Sequence, residues 1–288
     1  MVEWDGRGEY FKMLTAHKPK AVQASSLEIL RQDIHFGQTK ETSRFIEGSF
    51  ERRPVLIEIF QYKPDPDTND PPAPLTQRLK QVAVLLHLQK RLEFRILPCS
   101  GFFIDEARRR MGMVFERFPD IDFSQKSMSL LDMYKKDKYV PFGKRLKLAH
   151  ILAVAVDHFH RVGWVHKELR SSNIFFFHIP ESMKVMSGQS NRFVAEGFDL
   201  AAPWIFGFGY ARAEDGVTAL EEDYNMENNF YRHPSRVGCP EVKFRKYHDV
   251  YSLVGAAKVV YSMVMLTSIG CHPLRNCSLD EGRISLRE

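Results

Sequence analysis

The run from Val250 to Gly270 constrains this chain more than any other stretch. It is almost wholly apolar and long enough to cross a bilayer. Lys258 lies near its middle, where a charge is costly in lipid, and no flanking basic cluster sets an orientation. The same run suits a helix at the centre of a large domain, apolar on every side. The reading adopted here is that buried helix, from Tyr247 to Met265, with no membrane span. Such a helix needs a sizeable core around it. The chain has 288 residues, 44% of them hydrophobic and 27% charged, which fits a globular core and argues against disorder. The net charge of +5 is spread along the chain, so no nucleic-acid partner is expected. Four cysteines (Cys99, Cys239, Cys271, Cys277) are too few for a disulfide scaffold, and Cys271, His272 and Cys277 lack a zinc spacing. No basic stretch followed by an apolar one opens the chain, so a cytoplasmic location is expected.

The order of elements gives the fold class. Residues 1–26 read as a lead-in. Short strands follow, the clearest being the β-branched run Pro54 to Phe60. Lys63 to Pro74 holds five prolines and four Asp or Asn residues and must be a loop. Leu75, Leu79, Val82, Leu85 and Leu86 form a helical stripe, and strands are expected at Gly101–Ile104 and from Met111 to Phe118. Beyond this the chain turns helical. Ser129 to Tyr134 reads as a short helix and Phe142 to Val162 as a long one, stopped by Gly163. Ile174 to Phe177 and Trp204 to Phe206 read as short strands around a polar insert, Pro180 to Ala202. Strands with one helix, then mostly helices, predict an α+β fold in two lobes. The predicted division is 27–118 for a small β-rich lobe and 119–266 for a helical lobe that stops short after its central helix, with 267–288 as a tail.

Between the long helix and the phenylalanine strand lies His166-Lys167-Glu168-Leu169-Arg170-Ser171-Ser172-Asn173. The segment resembles the catalytic loop of protein kinases, H-R-D-L-x-x-x-N, with Lys for Arg and Glu for Asp. Tyr247-His248-Asp249-Val250-Tyr251-Ser252-Leu253 resembles the start of the central helix of the kinase helical lobe, and Tyr231-Arg232-His233-Pro234-Ser235 the end of the activation segment. Together the three segments look most like the fungal kinase-like domains that accompany helical incompatibility (HeLo) and prion-inhibition domains. The resemblance implies a two-lobed protein-kinase-like fold. It implies Glu168, Arg170 and Asn173 as the candidate catalytic loop, with Glu168 in the place of the base and Asn173 in that of a magnesium ligand. It also implies that Asp249 accepts hydrogen bonds from the loop backbone, besides capping its own helix.

The rest of the pattern is degraded. Glu58 stands where the phosphate-pairing lysine of V-A-I-K is expected, and Lys63 lies past the strand. Gln81 stands where the helix glutamate falls, and a Gln81–Glu58 hydrogen bond is the expected substitute. One glycine, Gly37, replaces a glycine-rich loop, and Gly48 is too distant. Gly207-Phe208-Gly209 matches D-F-G without its aspartate, and Asp199 precedes the strand and reads as a turn-capping residue. Glu168 is one methylene longer than aspartate; it is either a displaced base or a structural group bonded to the backbone or to Arg170. Thr218 and Tyr224 sit in an acidic stretch where phosphorylation would recruit Lys167 or Arg212. A pseudokinase acting as a binding or signalling module, with a protein partner and no cofactor, is the reading that follows. The alternative is an atypical ATP-dependent Ser/Thr kinase using Glu168 and Asn173 with Mg-ATP. A small-molecule kinase is a third reading.

Overall fold

A computed structural model describes residues 24–37, 44–87, 92–116, 127–136, 140–178, 194–195, 198–214, 229–238, 240 and 242–262. The fold is mixed α+β. Five antiparallel strands form the main sheet: β1 (Ile34–Phe36), β2 (Phe45–Phe50), β3 (Arg53–Gln61), β4 (Cys99–Asp105) and β5 (Arg110–Glu116). Their order across the sheet is β1-β2-β3-β5-β4. One helix, α1 (Ala73–His87), crosses between β3 and β4. The expected helix runs from Leu75 to Leu92; α1 starts two residues before it and is described to His87, and Leu92–Phe94 forms a separate short turn.

The alternation along β3 decides what the sheet presents to the rest of the molecule. Val55, Ile57 and Ile59 pack on one face with Ile34, Ile46, Phe103 and Val114. Leu56 and Phe60 face the other way, into the larger core. With a period of two, Glu58 falls on the same inward face as Leu56 and Phe60, and it is wholly buried.

The second half contains β6 (Met128–Ser129), α2 (Leu130–Lys135), α3 (Phe142–Arg161), β7 (Trp164–Val165), β8 (Ile174–Phe176), β9 (Val194–Ala195), β10 (Phe198–Asp199), β11 (Trp204–Ile205), β12 (Arg212–Ala213) and α4 (Lys246–Ser262). Ser129 and Asp132 close a reciprocal capping box that starts α2. At the end of α3, Gly163 adopts φ +83°, the left-handed turn expected of a glycine just past a helix. β11, β8 and β6 form a small sheet, and β12 pairs with β7. One continuous core joins both halves: Leu86, Phe102 and Phe115 from the first pack in the same cluster as Leu152, Phe159, Phe206 and Phe208 from the second. The expected boundary at 118/119 lies outside the described residues, as do the tail and all of the lead-in but residues 24–26.

The apolar helix differs from expectation. Tyr247, Val250, Tyr251 and Val254 are 38–52% exposed. They recur at i, i+3, i+4 and i+7 and so make one outward face. The inward face carries His248, Asp249, Ser252 and Ala256, all buried. α4 is therefore turned with its polar residues to the core. An aspartate that serves a buried loop has to point inward, and the apolar side of the helix faces out as a result. Among the described residues no helix is long and apolar enough to cross a membrane.

Candidate functional site

The loop between β7 and β8 is fixed from below by α4. Asp249 is fully buried. One carboxylate oxygen accepts the His166 backbone N–H at 2.7 Å and the other the Lys167 N–H at 2.9 Å. His160 Nε2 of α3 lies 3.0 Å from the first of these oxygens. Asp249 sits in the first turn of α4, but among the described residues none of its hydrogen bonds caps that helix; His248 Nδ1 instead accepts the Arg245 N–H there, at 2.7 Å. Lys167 takes φ +69°, a left-handed conformation that costs a non-glycine residue about 1–2 kcal/mol. The bonds from the His166 and Lys167 amides to Asp249 hold the turn in place.

His248 is buried against Phe244 and Tyr247. Burial, with His233 and Arg236 nearby, pushes its pKa down to about 4 from an ordinary 6.5. Between those two values the unfolded chain takes up a proton that the folded one refuses. Stability therefore falls as the pH drops through this window. Urea unfolding at pH 7 and pH 5 is expected to show that loss, and His248→Gln to reduce it.

Above the loop, both carboxylate oxygens of Glu168 are engaged by side chains. Arg170 Nη2 donates to its Oε1 at 2.7 Å, and Arg44 Nη2 donates to its Oε2 at 2.7 Å. The same Arg44 nitrogen donates to Glu58 Oε1 at 2.8 Å, and Arg44 Nε adds a second bond at 3.2 Å. Glu58 Oε2 accepts the Gly207 N–H at 3.3 Å. The chain Arg170–Glu168–Arg44–Glu58–Gly207 thus runs from the loop to the sheet, with two acids and two guanidinium groups. Burial pushes the Glu58 carboxyl pKa up, and Arg44 opposes that shift. Burial also disfavours charge on Arg44, but Glu58 and Glu168 outweigh it and raise its pKa above the ordinary value.

Glu58 therefore pairs with Arg44. The expected bond to Gln81 is absent, and Gln81 is exposed on α1. Arg44 is the residue that sequence reasoning missed. It directly precedes β2, whose register sets Phe45 opposite Glu58. A signal was present: a carboxylate at an inward position of a β-branched strand needs a cation.

Phe45 takes part as well. Its ring lies 4.6 Å from that of Phe175 and 5.6 Å from that of Phe206, edge-on to each. Sheet and loop halves thus meet through Phe45. Phe208 packs its ring against His166 at 4.8 Å and Phe159 at 5.9 Å. Burial holds the His166 pKa below its ordinary value.

The remaining candidates are placed as follows. Asn173 is 1% exposed, and its Nδ2 donates to the Glu168 backbone carbonyl at 2.7 Å. Gly207 takes φ +94°, and a Cβ there would lie 2.3 Å from Asn173 Nδ2. Asp199 bonds the Ala201 N–H at 2.9 Å, the turn role expected of it. Among the described residues no group of three or more His, Cys, Asp or Glu is placed to hold a metal ion. Thr218, Tyr224, Cys271, His272 and Cys277 lie outside the described residues.

The chemistry open to Glu168 follows from these contacts. Each of its oxygens already accepts a bond from a guanidinium, so both are occupied in this arrangement. Asn173 is buried beside Gly207, with its Nδ2 engaged on the Glu168 carbonyl. No protein-family model matches the chain, and no curated protein matches it either.

Proposed function

We propose that the chain is a kinase-like domain without phosphotransfer activity, a pseudokinase that works as a binding or signalling module for a protein partner. The observation that carries this reading is Arg44 clamped between Glu58 and Glu168. In the kinase-like reading, those carboxylates stand at the positions of the phosphate-pairing lysine and the catalytic base, and the clamp fills the space between them with the chain's own cation. A phosphate entering there meets two carboxylates whose counter-charge is already committed. At ~4 Å in a surface-like dielectric, each unit charge is worth about 4 kcal/mol for or against the ligand. Further support comes from the sheet order β1-β2-β3-β5-β4, from the loop's place between α3 and β8, and from its anchoring on Asp249. The Phe45–Phe175 ring contact adds to it by joining the two halves.

Thermal unfolding with millimolar Mg-ATP tests the proposal. No shift in melting temperature is expected. Ligand at a hundredfold over its Kd would add about 2.7 kcal/mol, an easily read shift. A saturable shift would instead favour the atypical kinase, with Glu168 as base and Asn173 as metal ligand.

A further inference from the structure

Beside the ion chain lies a cleft of about 1250 Å³, between the end of β3, the first turns of α1 and residues 209–213. It exceeds the usual ~300–1,000 Å³ of a small-molecule pocket. Its walls are of two kinds. Phe60, Tyr62, Leu75, Leu79 and Met111 give an apolar side. Arg44, Lys63, Arg78 and Arg212 line it as cations, against Glu168 as the one lining carboxylate. Arg44 is committed to Glu58 and Glu168, and Arg212 donates to the carbonyls of Ala213, Glu214 and Phe244. Lys63 and Arg78 are different: neither forms an ion pair among the described residues. The Arg78 guanidinium lies 5.3 Å over the Tyr210 ring, and its Nε is buried with no hydrogen-bond partner. A guanidinium held over an aromatic ring is already oriented to receive a carboxylate.

We propose that this cleft binds an acidic peptide segment of a partner protein, with a bulky apolar side chain on the Phe60–Leu79 wall and a carboxylate on Arg78 and Lys63. The inference rests on the binding-module reading and names the partner's chemistry. Charge complementarity selects the sign of the ligand, and the apolar wall selects an amphipathic one. The rim also favours a segment with few charges over a polyanion. Asp67 and Asp70 sit exposed, and Asp65 half-buried, on the loop next to Lys63, and a nucleic-acid backbone would meet their negative charge.

The test is fluorescence anisotropy with a fluorescein-labelled hexapeptide that alternates glutamate with phenylalanine; its lysine-for-glutamate counterpart is the control. The acidic peptide is expected to bind saturably and the basic one not to bind. Lys63→Glu and Arg78→Glu are each expected to weaken binding by about tenfold. Lys63 is exposed, so its variant reports on charge even if Arg78→Glu perturbs folding. Equal binding of both peptides, or no effect of Lys63→Glu, overturns the proposal, as does no binding of the acidic peptide up to about 1 mM. Each peptide titration is repeated beside the Mg-ATP melt. Peptide binding together with an Mg-ATP shift leaves the cleft assignment standing and removes the pseudokinase reading. The absence of both removes the cleft assignment alone.

Discussion

Asp249→Ala is expected to destabilise the fold by about 3–5 kcal/mol, because it strips a buried carboxylate from several donors at once. The His166 and Lys167 amides then lose their shared acceptor, and His160 loses its partner. Each buried donor left unmade costs about 1–3 kcal/mol. The left-handed turn at Lys167 loses its restraint as well. Glu168→Ala is expected to cost less. Its side chain is 14% exposed, Arg44 keeps Glu58, and Arg170 is itself one-fifth exposed. Denaturant unfolding of both variants beside the parent gives the comparison. A larger loss in Glu168→Ala would show that the ion chain, not Asp249, holds the loop.

Arg44→Met is the second large effect. It leaves Glu58, with no exposed surface, as an uncompensated carboxylate. Breaking such a pair from one side costs about 3–5 kcal/mol. The sign of its pH dependence follows from Glu58. Burial already raises that carboxyl pKa, and removal of the guanidinium raises it further. The folded variant then holds a proton that the unfolded chain has released, so its stability falls as the pH rises through the unfolded value and recovers in acid. Adding Glu58→Met is expected to restore most of the loss, since two apolar residues of similar volume can replace a buried pair at little cost. Urea midpoints for the parent, the single variants and the double variant, each at pH 5 and pH 8, check both statements. A double variant as weak as Arg44→Met would mean that the damage lies in the hairpin and not in the orphaned charge.

Much of the fold was legible because it is written in short periods. The β-branched run Pro54–Phe60 lies within β3 as read, and Phe142–Val162 matches α3 to within one residue. The bonds from the loop amides to Asp249 were also expected, from the resemblance of two distant segments rather than from local pattern. The contact map of the site was less legible. Gln81 and Arg44 are both polar residues near β3, and only the offset of β2 against β3 decides which one reaches Glu58. That offset is a long-range quantity. The orientation of α4 was hidden for a different reason. A run apolar at nearly every position has no period, so the sequence does not say that Tyr247, Val250, Tyr251 and Val254 face out. The inward pull of Asp249 settles it.

The close approach at Gly207 has a consequence for how this site can change. Any side chain at 207 collides with Asn173, and moving Asn173 releases its bond to the Glu168 carbonyl. The two positions are therefore coupled: a larger side chain at 207 requires Asn173 to shift away from the Glu168 carbonyl, and the φ of +94° adds strain for any residue but glycine. The effect of a substitution at 207 thus depends on what position 173 does at the same time, and the two are not additive.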